Sequence, residues 1–492
     1  MRTSPAWLLL MALIAFGAGL FGTFILDDFA IFSDPILTSW SGWWEVWRFN
    51  QTRPLTYFTF WLNYQVGGSN PIGYHAVNLA LHLCSVWLAF GALRRLMPEK
   101  IAWVATAIFA VHPTQSEAVN YVFARSTLLM AVFCLLSLRE WLHERRWRAV
   151  LWFALALLAK EEAVAWPMFM VLLHWSRSRP EYEWKPISAM FGLSLLLGAR
   201  VLLAADATPG SGAGTQAGIS AWDYFWTQGL VIWSYAAMFV APLWPYRLDS
   251  RVAPGIYWWA WVAVVAVVGL ASRRMRGPRA GFWVVATLVL MLPSSSVFPA
   301  ADLAADRRMY LAVLAGAVAI AMSSPRIEYA LVVLVGLSVM RTWDWLDAER
   351  FWRKQASYGS ARSMVQLARV VEPPEAVGLL ERAKGNSPDD PLIASELGRA
   401  YLTSGAVDKA LVEFGRGLAL TPNHPQALSN RGVALLLLKQ REAAQADFER
   451  ALQLDPCSFE ARLNGMRMGL QVGKAPQHCR YTDEERRALQ GE

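Results

Sequence analysis

The stretch WLLLMALIAFGAGLFGTFILDDFAIF (residues 7–32) contains an apolar run of membrane-spanning length that ends at two adjacent acids, Asp27 and Asp28. A helix of about 20 apolar residues is long enough to cross a bilayer. No clear small-x-small cleavage site precedes the acids, and further apolar runs follow. We therefore expect an uncleaved first transmembrane helix at about 6–25 and not a secretory signal peptide.

Apolar runs recur up to about residue 341 in this chain of 492 residues, of which 55% are hydrophobic and 25 are Trp. This composition predicts an all-α polytopic membrane protein with about eleven transmembrane helices, followed by a soluble C-terminal domain. We interpret 221–243 as a re-entrant or interfacial helix. The predicted spans are 6–25, 75–93, 101–115, 127–142, 148–160, 163–176, 186–205, 256–271, 281–293, 309–322 and 327–341.

The net charge of +8 does not indicate nucleic-acid binding, because the basic residues cluster in short loops between the apolar runs. If the N-terminus is inside, four basic loops fall on the cytoplasmic side, as the positive-inside rule requires. These loops are 94–100, 139–148, 177–185 and 273–279. The Gly/Ser-rich loop 206–220 and the C-terminus are then external.

Polar and charged residues gather in the loops on the opposite, external side. Lipid does not tolerate such groups singly, so their clustering predicts a polar cavity at that face. The candidate residues are Asp27, Asp28, Arg53, His75, His112, Glu117, Arg125, Lys160, Glu161, Arg307 and Arg308. One carboxylate could take a proton from a hydroxyl, a second could position the acceptor or a metal, and the cations could hold a phosphate leaving group.

Simpler interpretations stay open for several of these residues. Asp27 and Asp28 could be a solvated helix end, and Glu117 could pair with Arg125. His75, Asn78 and His82 share one face of the second span, where a polar seam between helices is more typical than a metal site. No zinc-hydrolase HExxH motif and no Walker loop is present in the sequence, which leaves zinc hydrolysis and ATP-driven chemistry without support.

Four Trp residues follow the acid pair, Trp40, Trp43, Trp44 and Trp47, at i, i+3, i+4, i+7 spacing. On a helix they would form one stripe. This spacing predicts an amphipathic helix at the membrane surface, with a wall against a lipid or sugar substrate as the alternative.

The C-terminal region contains a repeat. Residues 395–428 align with 429–462 at a period of 34 without a gap, so that Gly398 matches Gly432 and Phe414 matches Phe448. This is the tetratricopeptide pattern of stacked helix pairs. We predict repeats at about 357–390, 391–424 and 425–458 in a domain at 357–492, joined by a linker at 343–356 to a membrane domain at 1–342. Cys457 and Cys479 in this tail could pair in an oxidising compartment.

Five stretches carry a resemblance to a known family: LDDFAIF (26–32), RPLTYFTFWLNYQVGGSNPIGYHAVNLALHL (53–83), FAVHPTQSEAVNYVFARSTLL (109–129), LLAKEEA (157–163) and AADRRMYL (304–311). Their order resembles GT-C glycosyltransferases, most of all the transmembrane-and-tetratricopeptide-repeat O-mannosyltransferases and their bacterial relatives. The stretch FARSTLL differs from the family where a second acid is often found, which weakens the case for a metal there.

The resemblance implies an inverting enzyme that takes a sugar from a polyprenyl or dolichyl phosphate without a certain cofactor, although a divalent metal is possible. It implies Asp27 as the base and Asp28 as the acceptor-side partner. It assigns Glu117 and His112 to the acceptor or metal side, and Arg53, Lys160, Arg307 and Arg308 to the donor phosphate. Arg125, Glu161 and His75 would line the rest of the cavity.

The predicted function is therefore transfer of a sugar to a hydroxyl, with a protein Ser/Thr acceptor bound by the repeat groove. The predicted location is a bacterial inner membrane, with the active site and repeats periplasmic, or lumenal in a eukaryote. Two alternatives are the same chemistry on a glycolipid or polysaccharide, and a non-catalytic scaffold that assembles an envelope complex through its repeats. A transporter ranks lower, because no inverted repeat is evident.

Overall fold

The structure is a computed structural model, and it is all-helical over the residues that it describes. These are 4–33, 35–48, 51–176, 184–206, 219–242, 252, 255–273, 280–295, 299–300, 302–324, 327–470, 473–476, 479, 481 and 483–490. The chain divides into two compact units, Met1–Ala348 and Glu349–Glu492. Much of the predicted loops 177–185, 206–220 and 273–279 lies outside the described residues.

The first unit is built from seventeen described α-helices. They are α1 (Pro5–Phe16), α2 (Ala30–Ser33), α3 (Pro35–Thr38), α4 (Gly42–Glu45), α5 (Pro54–Gly67), α6 (Pro71–Leu93), α7 (Glu99–Val111), α8 (Ser116–Asn120), α9 (Arg125–Leu142), α10 (Arg146–Ala159), α11 (Trp166–Ser176), α12 (Trp184–Asp206), α13 (Ala221–Val240), α14 (Trp259–Ser272), α15 (Ala280–Met291), α16 (Tyr310–Ser323) and α17 (Leu331–Asp344). Short 3-10 turns lie between several of these helices, at Leu26–Phe29, Pro113–Gln115, Val122–Ala124, Glu161–Ala165 and Asp306–Met309.

Local sequence signals fix the starts of several helices. Ser4 caps α1 with its hydroxyl on the Ala6 N–H, and Pro5 follows at the first helical position. Asn70 caps α6 in the same way, with Pro71 next. A side-chain oxygen at the N-cap satisfies a backbone N–H that has no partner within the helix, and Pro is preorganised for the first turn.

A helix occupies each of the eleven predicted spans, but only some qualify as spans by length and composition. Four helical stretches in the described part of the chain are long and apolar enough to cross a membrane: Pro71–Leu93, Val122–Leu142, Trp184–Ala204 and Gly255–Ser272. The pair that begins at Ile327 would make a fifth if counted as one span. The structure thus supports a membrane protein with fewer clear spans, and the count of eleven stays a prediction. Helix α13 (Ala221–Val240) occupies most of the stretch 221–243, and whether it crosses the bilayer also stays a prediction.

The packing of the first unit separates the basic loop 94–100 from the candidate residues. Trp103 near the start of α7 donates to the Ser4 carbonyl, and Lys100 pairs with Glu328 just before α17. At the other end, Ser338 near the end of α17 donates to the carbonyl of Val111, the last residue of α7. The C-terminal ends of α1, α7 and α17 therefore meet at one end of the unit, and this end carries the candidate residues.

The Trp segment is not the continuous helix that the spacing predicts, so that prediction was wrong. The chain forms α3, breaks at residues 39–41, and forms the single turn α4. The break allows close contact, because a Cβ at Gly42 would meet the Ile36 carbonyl oxygen at 1.7 Å. All four indoles are exposed, and Trp40 contacts Trp61 with 5.8 Å between ring centroids and 56° between ring planes.

The second unit consists of helix pairs. Its helices are α18 (Ala348–Ser357), α19 (Ala361–Ala368), α20 (Pro373–Asn386), α21 (Pro391–Thr403), α22 (Val407–Leu420), α23 (Pro425–Leu437), α24 (Arg441–Leu454), α25 (Phe459–Arg467) and α26 (Asp483–Gln490). The pairs α19–α20, α21–α22 and α23–α24 fall within the three predicted repeats. Most of the predicted linker 343–356 is helical, and the proposed domain boundaries stay a prediction.

Small residues bring the helices of each pair together. A Cβ at Gly398 would lie 2.6 Å from the ring of Phe414, and one at Gly432 would lie 2.9 Å from the ring of Phe448. These are the glycine and aromatic positions that the repeat pattern aligns, so glycine is needed there for close approach. Beyond the last pair, Cys457 and Cys479 form a disulfide.

Candidate active site

The two acids after the first helix have different surroundings. Asp27 is exposed. Its Oδ2 accepts a hydrogen bond from the Tyr121 hydroxyl at 2.9 Å, and its backbone N–H donates back to the same hydroxyl at 3.2 Å. A carboxylate that is both accessible and fixed by one oxygen can act on a bound substrate.

Asp28 is 1% exposed and serves the backbone. Its Oδ2 accepts from the Ile25 N–H at 3.0 Å, and its Oδ1 accepts from the Phe123 N–H at 2.8 Å. Burial raises the pKa of Asp28 to about 8, while these two N–H donors oppose the rise. Both oxygens are engaged, so Asp28 is placed to hold the loops at 25 and 123 together and not to reach an acceptor.

Glu117 forms an ion pair with Arg307 and not with Arg125, the alternative that the sequence left open. Its Oε2 accepts from the Arg307 backbone N–H at 2.9 Å, and its Oε1 contacts the Arg307 guanidinium. The guanidinium also donates to Asp302 at 2.6 Å. Burial disfavours the charged form of Arg307, but Glu117 and Asp302 outweigh it and raise the pKa of this arginine.

Arg125 is fully buried, and its hydrogen-bond partners are uncharged. It donates to Asn78 at 2.9 Å, to the Tyr74 carbonyl at 3.1 Å and to the Thr59 carbonyl at 3.2 Å. Its guanidinium lies 4.5 Å from the ring centroid of Phe60. Arg125 therefore ties α5 and α6 to the start of α9, and it is a structural residue in this cavity.

The histidines and Glu117 do not form a metal site. His112 is buried with both ring nitrogens engaged, one with the Thr114 hydroxyl at 2.8 Å and the other with the Phe239 carbonyl at 3.0 Å. His82 bonds Tyr310 and the Ala110 carbonyl, as in a polar seam between helices. His75 is buried against Gly22. No group of three or more metal-ligating side chains occurs within the described residues, and the oxygens of Glu117 are taken by Arg307.

Two further cations lie at the ends of α5 and α10, and both are paired with acids. Arg53 donates to both oxygens of Glu161, at 2.8 and 2.5 Å. Burial would raise the pKa of Glu161, but the charge and hydrogen bonds of Arg53 lower it to about 2. Lys160 contacts Glu162 at 2.8 Å and the Thr127 hydroxyl at 2.9 Å.

A pocket lies between Glu162, the partner of Lys160, and the arginine pair Arg307 and Arg308. Its polar wall includes Glu162, Thr127, Arg307 and Arg308, and its apolar wall includes Met130, Trp166, Leu290 and Leu311. Arg308 has no acidic partner among the residues that the structure describes, and its nearest side-chain hydrogen bond runs to the Tyr224 hydroxyl at 3.5 Å. A cation without a carboxylate at the wall of a half-apolar pocket is suited to an anionic group on an apolar chain.

Several residues that complete this network were given no role from the sequence. They are Tyr121, Thr127, Glu162, Asp302, Asp306 and Arg341. Asp306 is buried 3.2 Å from Arg341, and burial raises the pKa of Asp306 to about 7 despite that arginine. Glu162 and Asp306 stand next to predicted residues in sequence and Asp302 lies five residues before Arg307, so the charge pattern could have found them, whereas nothing in the pattern marks Tyr121.

Comparison with known proteins bears on this network. The chain is 40% identical to protein O-mannosyl-transferase Tmtc1 of Drosophila melanogaster over 120 residues. This matched region covers 23% of this chain and 14% of that protein. It is 32% identical to the human protein O-mannosyl-transferase TMTC4 over 166 residues. This second region covers 27% of this chain and 22% of that protein. These similarities confirm the resemblance to the protein O-mannosyl-transferases.

A tetratricopeptide-repeat family model matches residues 425–456, within the third predicted repeat. Among solved structures, ArnT from Cupriavidus metallidurans bound to undecaprenyl phosphate aligns with 91% of this chain and 80% of that chain, at 14% identity and a TM-score of 0.39. A likeness at this TM-score indicates neither fold nor function. Since the matched regions span less than a quarter of the curated relatives, their activity extends to this chain only as a proposal.

Proposed function

We propose that this chain is an integral membrane glycosyltransferase of the GT-C kind. It would move a sugar from a polyprenyl- or dolichyl-phosphate donor to a hydroxyl acceptor. One observation carries the proposal: an exposed carboxylate, Asp27, is joined through Tyr121 and Arg307 to a half-apolar pocket that contains an arginine without an acidic partner. A base for a hydroxyl and a site for a lipid phosphate thus lie in one connected network.

Asp27 is the base in this proposal and Asp28 is a positioning residue. Asp27 is accessible, whereas both oxygens of Asp28 accept backbone N–H groups from loops on either side. The assignment of Asp28 to the acceptor side, which the resemblance implied, is therefore replaced by a role in holding the loop that presents Asp27.

The donor phosphate would bind at Arg308, with Arg307 beside it. Arg307 is neutralised by Glu117 and Asp302, and Arg53 and Lys160 are neutralised by Glu161 and Glu162. Arg308 is thus the strongest electrostatic attraction for a phosphate in the pocket, and its apolar wall suits the first isoprene units of the donor. Lys160 would shape the pocket through Glu162, which lines it, and Arg53 would hold the neighbouring Glu161.

The transfer step would follow from these positions. The acceptor hydroxyl oxygen attacks the anomeric carbon while Asp27 takes the hydroxyl proton. The bond between the anomeric carbon and the phosphate oxygen breaks, and its electron pair leaves with the polyprenyl phosphate. Arg308 stabilises the charge that develops on this leaving group. A direct displacement of this kind inverts the anomeric carbon.

A protein Ser/Thr hydroxyl is the proposed acceptor, since the curated relatives are named protein O-mannosyl-transferases. Helical repeats commonly bind peptides, and the matched repeat suits delivery of a protein acceptor. The disulfide at Cys457 supports an oxidising compartment for the repeats. We accordingly place the active site and the repeats on the periplasmic face of a bacterial inner membrane, or on the lumenal face in a eukaryote.

The test uses the full chain in lipid nanodiscs with radiolabelled polyprenyl-phosphate mannose and a mixture of envelope proteins. We expect label on Ser/Thr in protein, and a loss of about 100-fold or more in the rate for Asp27→Asn, as for removal of a general base. Arg308→Ala should raise the donor KM more than it lowers kcat. Lys409→Ala, a substitution in the second unit, serves as the matched charge-removal control.

The outcomes separate this proposal from its alternatives. Label on glycolipid with none on protein would move the acceptor to the glycolipid class. A scaffold should retain its cellular function when Asp27, Glu117 and Arg307 are replaced together. Full transfer by Asp27→Asn would overturn the assignment of the base.

A further inference from the structure

Tyr121 makes two hydrogen bonds to one residue of the acid pair. Its hydroxyl donates to Asp27 Oδ2 at 2.9 Å and accepts from the Asp27 backbone N–H at 3.2 Å. The tyrosine is 2% exposed, although its partner is exposed. A buried phenol therefore fixes both the backbone and one oxygen of the exposed acid. Asp27 Oδ1 accepts no hydrogen bond from the residues that the structure describes.

The ring of Tyr121 is itself fixed from several sides. Trp345 stacks on it with 6.0 Å between ring centroids and 27° between planes. The Arg307 guanidinium carbon lies 5.7 Å from the ring centroid. The Tyr121 carbonyl accepts from Asn78 at 3.1 Å, and Asn78 in turn accepts from Arg125 at 2.9 Å. The hydroxyl therefore cannot move without disturbing either the arginine or the stacked indole.

We propose that Tyr121 is a positioning residue for the base: it holds Oδ2 of Asp27, directs the free Oδ1 to the acceptor hydroxyl, and couples the position of Asp27 to that of Arg307 at the donor pocket. This inference rests on the proposed transferase function for its kinetic consequence, but the hydrogen bond itself can be tested without any transfer. In the coupled arrangement, a donor that shifts Arg307 also shifts the phenol and the carboxylate.

The same geometry argues against a simpler role. If Tyr121 only filled space, its ring would suffice and the hydroxyl would be dispensable. The hydroxyl instead lies against the one acid of the pair that solvent can reach, while the buried acid is held by backbone N–H groups alone. The two acids thus depend on different partners, and only Asp27 depends on a side chain.

The first experiment measures the hydrogen bond directly. The full chain in nanodiscs is treated with a water-soluble carbodiimide and an amine across a pH series, and mass spectrometry follows modification of the peptide that contains Asp27. Tyr121→Phe removes a donor to the carboxylate but keeps the ring. Carbodiimide activates the protonated carboxyl, and a hydrogen bond to the charged carboxylate favours the charged form. Without the Tyr121 hydroxyl, we therefore expect the pH of half-maximal modification to be higher by about 0.5 to 1 pH unit.

Tyr74→Phe is the matched control, because it also removes one tyrosine hydroxyl, which bonds the Gly68 carbonyl at 3.0 Å. It should leave the modification curve of Asp27 in place. If Tyr121→Phe yields little folded protein, Trp345→Leu replaces it. This variant loosens the stacking on the Tyr121 ring and keeps the hydroxyl. It should shift the pH of half-maximal modification in the same direction by a smaller amount. Curves that coincide for the wild type and the tyrosine variant would overturn the inference.

The second experiment measures transfer from polyprenyl-phosphate mannose. We expect Tyr121→Phe to lower kcat by about 10- to 100-fold, as for a misplaced catalytic group, with the donor KM unchanged and the acid limb of the pH–rate profile moved to higher pH. An unchanged profile with an equal loss in Tyr74→Phe would indicate a structural role and overturn the proposal. No transfer by the wild type would refute the proposed function, while the carbodiimide result would still decide the role of the hydroxyl.

Discussion

The polar end of the first unit and the repeat unit both contain arginine–carboxylate pairs, but the pairs differ in their setting. In the first unit, Arg307 pairs with Glu117, whose side chain is completely buried, and with Asp302. In the second, Arg353 pairs with Glu349 and Glu375, and all three side chains are more than 40% exposed. A charge pair in water contributes little to stability, whereas a buried one is costly to break. The same residue types therefore indicate a site in one unit and a solvated surface in the other.

Replacing Arg307 should give the largest effect. Arg307→Ala leaves the buried carboxylate of Glu117 without its counter-charge, which costs about 3 to 5 kcal/mol in the free energy of unfolding. Thermal unfolding of the full chain in nanodiscs measures this change. Arg369→Ala, which breaks a more exposed pair with Glu396 in the repeats, is the control, with a cost of about 1 kcal/mol or less. Equal costs for the two variants would contradict the distinction between the units.

Replacing Asp28 should have the next largest effect. Asp28→Asn places an NH₂ group against the N–H of either Ile25 or Phe123. That backbone N–H then has no acceptor, which lowers the free energy of unfolding by about 1 to 3 kcal/mol. The effect should depend on pH. Since burial raises the pKa of Asp28 to about 8 in the folded state, the folded state binds the proton more tightly than the unfolded state. The stability from this group is complete below about pH 4 and is lost as the pH rises towards 8.

The stability difference between the wild type and Asp28→Asn should therefore narrow from pH 5 to pH 8. Melting temperatures at several pH values in that range test this directly. A difference in melting temperature between the two proteins that stays constant across this pH range would show that the folded state does not retain the proton on Asp28.

A substitution at a packing contact in the repeats should lower the free energy of unfolding by a similar amount, although no charge is involved. Gly432→Ala places a Cβ within 2.9 Å of the Phe448 ring, and overpacking of this kind costs about 1 to 3 kcal/mol. Gly415→Ala, where nothing lies within 4 Å of the added Cβ, should instead stabilise α22 by about 0.5 to 1 kcal/mol. Hydrogen exchange of the peptides of α22, α23 and α24 measures both, and faster exchange in both variants would contradict the packing argument.

The smallest effect is expected for the exposed pairs of Arg353. Arg353→Ala should leave the melting temperature unchanged within error, at low and at high salt. A loss that disappears when salt is added would show that these surface charges stabilise the repeats, and the contrast between the two units would then be one of degree.

Much of the architecture followed from patterns in the sequence. The apolar runs located a helix in each predicted span, because burial in lipid or in a helix bundle requires the same continuous apolar surface. The 34-residue period located the helix pairs, since small residues must recur wherever two helices touch. Several of the candidate charges also gather at one end of the first unit, while the side of the membrane on which they lie stays a prediction.

The sequence could not provide the partners of the charges. Glu117 and Arg125 share a spacing that suggested a pair, but the fold brings Glu117 to Arg307, 190 residues later in the chain. The indole spacing suggested one helix, but the close approach of Gly42 to Ile36 requires a break. In the first case a long-range contact outweighed the local pattern, and in the second a close backbone approach between residues six apart did so.

The sequence by itself determined the helices, the repeat and the set of candidate acids and arginines, since these follow from local composition and period. Only the tertiary structure decided which acid is exposed and which is buried, that Tyr121 joins Asp27 to Arg307, and that Arg308 faces a pocket without an acidic partner in the described chain. The physical reason is that burial and pairing belong to surfaces formed by distant segments, and two neighbouring aspartates cannot reveal their different surroundings in sequence.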